Sequence, residues 1–177
     1  MPGFTIPTIA SEVPGNYVTS ALWNANVYNG FQFLLNRPFF EGYQSAAQSI
    51  ANTSLTNIAI DTTITDTNGG HSNVTNNSRY TCQAGTAGWY RITVSLGFTA
   101  NAAGSRLIEI HKNGAAVKLI QAGNDSSRTD INAALQCSAV VQLAAGDYLE
   151  GCAYQTSGGA LSTNPNNTGM TVIWEKS

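Results

Sequence analysis

The stretch that most constrains the fold is Tyr80 to Phe98, YTCQAGTAGWYRITVSLGF. From Trp89 onward it alternates without a fault. Tyr90, Ile92, Val94, Leu96 and Phe98 take one side, and Trp89, Arg91, Thr93, Ser95 and Gly97 the other. A strand has a side-chain period of two, so the pattern specifies one apolar face and one mostly polar face. Gly85 and Gly88 bracket a turn into the strand. Its apolar face must be covered, and the covering pieces are legible elsewhere in the chain.

Arg106 to Lys112 and Ala115 to Ile120 flank Asn113–Gly114, and that dipeptide between two strand-like runs predicts a type I′ hairpin. Asn101 to Ser105 before it reads as a turn, and Gly123 to Thr129 after it as a polar loop. Ile131, Ala133, Leu135, Cys137, Ala139, Val141 and Leu143 form the longest alternating pattern, with Asn132, Gln136, Ser138 and Gln142 opposite. Ala144 to Asp147 is a tight turn into Tyr148 to Gln155. A loop over 156–167 precedes a closing strand, Met170 to Trp174, expected to be central. Earlier, 39–54 read as a transition segment, and Leu55, Ile58 and Ile60 suggest a first strand. Residues 61–78 are almost all turn formers, predicting a surface loop or edge hairpin with Gly69–Gly70 at its tip. About eight strands with closely spaced turns predict a mainly β, antiparallel sandwich or jelly roll over 46–177.

Residues 1–45 read differently. Pro2, Pro7, Pro14 and Gly15 predict an extended arm over 1–18. Thr19 or Ser20 then caps a helix running to about Leu35, which must end before Pro38. Trp23, Val27, Phe31, Leu34 and Leu35 recur at three- and four-residue steps as one apolar stripe. A lone helix of this length is marginal in water, and Gly30 weakens it by about 1 kcal/mol. The stripe therefore needs cover: its own β domain, copies of itself, or another protein.

Composition excludes several functions. Charged residues make up 10% of the chain, against roughly 25% in ordinary soluble domains. Asn, Thr, Ser, Gly and Ala replace them, a surface suited to an assembly. The net charge is −2 with no basic run, which argues against nucleic acid. No apolar run approaches the ~20 residues of a membrane span, and the start lacks the signature of a secretory signal. Cys82, Cys137 and Cys152 lack metal or disulfide spacing, and Cys137 reads as a small buried hydrophobe. The Asn-x-Ser/Thr sequons at Asn52, Asn73, Asn76, Asn124 and Asn166 match chance in so Asn- and Thr-rich a chain.

No catalytic set stands out. His71 and His111 lack metal-ligand spacing and read as surface histidines. Glu109 and His111 share a strand face but have no nucleophile beside them. Asp125, Asp130, Asp147 and Glu150 are dispersed at turns, and neither Gly69–Gly70 nor Gly158–Gly159 has the setting of a phosphate loop. Asp61, Asp66 and Asn68 could offer oxygens to Ca²⁺, but their spacing does not match an EF-hand, and turn formation accounts for them. The expectation is a non-enzyme with no cofactor and no metal.

Two resemblances extend this reading. VPGNYVTSALWNANVYNGFQFLL, within residues 12–38, resembles a short module near the start of many tailed-phage structural proteins. The family version carries charges in mid-helix, where this chain has Val27, Tyr28 and Asn29. Over residues 50–177, the order of motifs resembles the globular heads of complement proteins and the tumour necrosis factor family. The motifs are Tyr80/Cys82 with Gly88–Trp89–Tyr90, then Asn113–Gly114, then Leu143 to Glu150, then Met170 to Trp174. Thr168, Gly169 and Met170 replace that family's usual Phe-Ser-Gly. The second resemblance implies a homotrimeric jelly roll. Tyr148 and Tyr154, on the face of Cys152, are candidate interface residues or ordinary second-face packing. Trp89 is expected to meet a sheet edge, a neighbouring subunit or a partner.

Together the resemblances imply a bacteriophage virion protein on the particle surface, made in the host cytoplasm. A minor tail or tail-tip component is favoured, with a capsid decoration protein as the alternative. Partners would be itself and other virion proteins. A host-glycan-binding module is a further alternative, though the loops at 61–78, 121–130 and 156–168 contain no aromatic side chain.

Overall fold

The computed structural model describes residues 5–8, 15, 17–124 and 133–177. Most of the expected arm, most of the loop after Gly123 with Asp125 and Asp130, and the first residues of the 131–143 pattern lie outside the described residues.

Thr19 accepts a hydrogen bond from the Leu22 amide at 3.2 Å and starts a helix. It runs through α1 (Ser20–Trp23), a π-helical turn (Asn24–Tyr28) and α2 (Asn29–Leu35), ending before Pro38 as expected. Twelve strands follow among the described residues: β1 (Phe39–Tyr43), β2 (Ser49–Ile50), β3 (Thr56–Asn57), β4 (Thr62–Asp66), β5 (Arg79–Thr81), β6 (Gly88–Phe98), β7 (Arg106–Lys112), β8 (Ala115–Asn124), β9 (Ala133–Leu143), β10 (Tyr148–Gln155), β11 (Leu161–Ser162) and β12 (Gly169–Lys176).

They form an antiparallel sandwich. The first sheet runs β4-β1-β12-β6-β9, and the second β3-β10-β7-β8 with β5 also on β10. A small β11-β2 ladder lies beside them. The closing strand is central, held between β1 and β6. The inward face of β6 is fully covered: Tyr90, Ile92, Val94, Leu96 and Phe98 are all buried. Leu135 to Leu143 of β9 and Met170, Val172 and Trp174 of β12 extend this layer. Ile108, Ile110, Leu149 and Ala153 close it from the second sheet. Asn113 and Gly114 both have positive φ, 52° and 77°, as a type I′ hairpin requires.

Two early expectations need correction. The first strand is β1, inside the supposed transition segment; Leu55 is exposed, and only Thr56–Asn57 of its neighbourhood is strand. Gly42 interrupts the apolar run of β1, because a Cβ there would sit 2.7 Å from the Phe40 ring and 2.8 Å from Ile60. Residues 61–78, expected as a surface loop or an edge hairpin, open as β4, a threonine-rich edge strand that pairs with β1 and not within a hairpin, where β-branched polar residues suit a half-exposed pleat. The turn after it is built on Asp66. Its carboxylate accepts from the amides of Asn68 (3.2 Å), Gly69 (2.9 Å), Gly70 (3.2 Å) and His71 (2.9 Å).

Asp147 plays a similar part at the other turns. It accepts from Lys112 Nζ (2.8 Å), Asn113 Nδ2 (2.8 Å) and the Ala144 amide (2.8 Å), joining the β7–β8 hairpin to the β9–β10 turn.

Two outcomes follow from this packing. Gly151 admits Val94 between the sheets, and an added Cβ would lie 2.6 Å from Val94 Cγ1. Gly151→Ala is therefore expected to lower stability by about 1–3 kcal/mol in chemical denaturation without changing the circular dichroism spectrum. The Lys112 and Asn113 hydrogen bonds hold the Asp147 carboxyl down at about 2 from its usual 3.8. The folded chain thus takes up this proton at lower pH than the unfolded chain, so the stabilisation is complete above pH ~4 and is lost as pH falls toward ~2. Melting temperatures of Asp147→Asn measured from pH 5 to pH 2 should lack that step.

Candidate interaction surfaces

The titratable groups are engaged in holding strands together. Glu109 and His111 do share a face of β7, with Oε2 and Nε2 2.9 Å apart. His111 is buried, not superficial, because the register of β7 on β10 sets it beside Glu150. Glu150 is likewise no turn carboxylate: it is buried within β10 and accepts from Asn57 Nδ2 (2.9 Å), Ser78 Oγ (2.7 Å) and Arg79 Nε (3.0 Å). His71 is half-buried against the Phe40 ring, with Nδ1 2.7 Å from the Arg79 carbonyl and Nε2 2.8 Å from that of Ile60. A neutral imidazole has one N–H and serves only one of these carbonyls.

The thiols of Cys137 and Cys152 are poor nucleophiles. Burial, with Glu109 nearby, pushes Cys137 up to about 11. Burial, then Glu150 and Glu109, pushes Cys152 up to about 12. A thiol held protonated does not attack. Among the described residues, no group of three or more His, Cys, Asp or Glu is placed to hold a metal ion. Both carboxylates considered for Ca²⁺ are engaged by backbone amides, Asp66 as above and Asp61 accepting from the Ser45 amide at 2.7 Å, while Asn68 donates its backbone N–H to Asp66 and its Nδ2 to Thr86 Oγ1.

The candidate interface residues do not converge on one patch. Trp89 points outward from the first sheet, with Lys176 Nζ 5.9 Å from its ring centre. Tyr148 and Tyr154 stand on the outward side of the second sheet with Glu150 and Cys152; Arg79 stacks on Tyr148 at 4.0 Å. Strand alternation decides this, since Leu149, Gly151 and Ala153 of β10 take the inward side.

The outward face of the first sheet is ordered by its register. One row reads Phe39, Ile173, Arg91, Val140; the next Glu41, Thr171, Thr93, Ser138; the next Tyr43, Gly169, Ser95, Gln136. Its polar groups bond one another in the plane: Thr93 to Ser138 (3.0 Å), Gln136 Nε2 to Ser95 Oγ (3.2 Å), and Ser138 Oγ to the Ile92 carbonyl (2.9 Å). A groove of about 850 Å³ crosses this face past Tyr43, Ile64, Ser95 and Gln136. That volume would hold a small ligand, but hydroxyls bonded to each other offer few free donors to orient one. Such a face is suited to burial against protein.

The helix presents the second surface. Phe33 is its only buried side chain, edge-on to Trp174 at 4.8 Å. Its outward stripe is open: Trp23 is 56%, Phe31 61%, Leu34 60% and Leu35 77% exposed, while Val27 is half-buried. Tyr28, at 53%, joins them although sequence spacing passed it over. Fully burying a large apolar side chain stabilises by about 1.5–3 kcal/mol, so these five exposed residues leave roughly 4–9 kcal/mol unrealised.

No protein-family model matches the chain, and no curated protein matches it. Solved structures do. The globular domain of zebrafish complement 1qA aligns over 80% of this chain and all of that one, with TM-score 0.55 and 13% identity. Murine APRIL aligns over 78% and 98%, with TM-score 0.56 and 13% identity. The Eiger TNF of S. frugiperda aligns over 80% and 95%, with TM-score 0.52 and 14% identity. Identities this low speak for architecture alone, and on architecture the chain is a jelly roll of the complement C1q and tumour necrosis factor type.

Proposed function

We propose that this chain is a non-enzymatic structural protein of a bacteriophage virion, displayed on the particle surface as a homotrimeric jelly-roll head. The observation that carries the reading is the helix: a closed, well-packed domain presents Trp23, Phe31, Leu34 and Leu35 to solvent beside the half-buried Val27. A solitary soluble domain gains nothing from that stripe, whereas a docking element needs it. The arm and helix within residues 1–45 are the attachment unit, and residues 46–177 form the head together with β1, which lies between β4 and β12 in its first sheet. The resemblance of residues 12–38 to a tail-associated module favours a minor tail or tail-tip position.

The trimer rests on two supports. Neighbours of this fold are commonly homotrimers, and the outward face of the first sheet has Arg91 and Glu175 paired with each other and several of its polar side chains hydrogen-bonded together. In a cyclic trimer each boundary joins two different patches. Trp89 on the first sheet of one copy and Tyr148 or Tyr154 on the second sheet of the next can therefore share one boundary.

Sedimentation of the purified chain at micromolar concentration should give three times its 18.7 kDa mass. Val140 is half exposed on that face, across from an Arg91 that Glu175 already neutralises. Val140→Glu should therefore keep the monomer fold yet weaken association about 100-fold or more, since burying a second carboxylate there leaves a net negative charge at a cost of several kcal/mol. Gold labelling of intact particles should mark the tail. Label at regularly spaced capsid positions would make the chain a decoration protein, and no label on particles would overturn the virion reading.

A further inference from the structure

We infer that the apolar stripe of the helix is covered by the same helix of the other two copies, so that the head stands on a three-helix stalk. The inference rests on the trimer just proposed and deepens it. Attachment to the particle would then fall to a bundle and not to three separate helices.

Four observations bear on what covers the stripe. The first is chemical. Between Tyr17 and Asn36 the chain has no Asp, Glu, Lys, Arg or His. A partner surface that reads charge finds nothing here, whereas a second copy offers the same apolar stripe flanked by Asn and Gln. Helices that lie on membranes carry Lys or Arg on the polar face, and this one carries amides and hydroxyls. Neutral amides beside an apolar seam are compatible with a helix bundle and help to set its register.

The second is mechanical. Phe33 clamps the helix to Trp174, and the Trp174 amide donates to the Pro38 carbonyl at 2.9 Å. The helix is thereby mounted on the central strand β12 of the first sheet. Only three residues, Asn36 to Pro38, separate it from β1. Any symmetric assembly across that sheet carries the helices with it.

The third is continuity. Phe39, Ile173 and Val140 share the row of the sheet's outward face at the helix end, with Arg91 among them, and Trp89 lies beyond it next to Gln142. The next rows turn mostly to Thr, Ser and Gln, with Tyr43 and Ile64 exposed at the far end. The helix stripe prolongs the apolar end of the proposed interface.

The fourth is extent. Tyr17 and Val18, just before the helix, are 91% and 78% exposed, so the apolar surface spans the whole element and its lead-in. A stripe of that length suits a partner of equal length.

The test uses the full chain. Cys82, Cys137 and Cys152 are buried, so Leu34→Cys adds one accessible thiol at a position that is already exposed. With one such thiol per chain, a short bismaleimide should join two of the three copies into a covalent dimer and label the third singly, with a yield that does not change on dilution above the trimer's dissociation constant. Leu35→Cys should behave alike, and the same thiol in the Val140→Glu background should give no cross-link. If sedimentation shows a trimer but both thiols label singly without cross-linking, the stalk is overturned and the trimer stands. A monomeric wild-type chain would overturn both.

Discussion

The distance between the two sheets is set where Gly151 of β10 lets Val94 of β6 in, with Ile58 close behind. No larger residue fits without pushing the layers apart. Because Gly151 faces inward, the alternation of β10 turns Tyr148, Glu150, Cys152 and Tyr154 outward, and the register on β7 then aligns Glu150 with His111 and Cys152 with Glu109. The buried Glu150 follows from that placement. A carboxylate withdrawn from water is tolerable only when its oxygens are bonded, and Asn57, Ser78 and Arg79 supply the donors from β3, from the residue before β5 and from β5, which run along the edge of β10 away from β7. One close approach in the core thus dictates a polar cluster on the far side of a sheet.

How much of this was legible in the sequence depends on how local the determinant is. β6, β9 and the Asn113–Gly114 hairpin could be read directly, because a period of two and a positive φ are properties of a few adjacent residues. β1 was not, since Gly42 breaks its pattern for a reason that lies in Phe40 and Ile60 across the core. β4 looked like loop because a threonine-rich edge strand and a solvated turn have the same composition. The roles of His71, His111 and Glu150 were hidden for a related reason: each depends on which strand lies alongside, and register is fixed by pairings far apart in sequence. The helix shows the limit most clearly. Its stripe was correctly seen as apolar, yet the residue that docks on the domain is Phe33, which spacing alone had left out.

Outward surfaces were legible as polarity but not as geometry. Alternation placed Trp89 and Tyr148 on polar faces, and only the sheet order shows that those faces point in opposite directions. The same order reveals that the small hydroxylated residues of β6 and β9 bond one another across the strand pair. That lowers the cost of removing them from water, because each loses a solvent partner while keeping a protein one.

This bears on why so few charges suffice. Ion pairs in the chain are spent within it: Arg79 with Glu150, Lys112 with Asp147, Arg91 with Glu175. Arg91 and Glu175 on the outward face of the first sheet together contribute no net charge there, and Glu41 on the same face has no ion pair among the described residues. A surface with most of its charge paired and several of its hydroxyls bonded to one another loses less on being buried than an ordinary charged one and gives little grip to a soluble ligand. The helix stripe adds the attraction that such a face lacks, since apolar area favours association without regard to direction. Specificity would come from shape and register, and affinity from the helix. That division of labour fits a component built into an assembly better than one that recognises a small molecule.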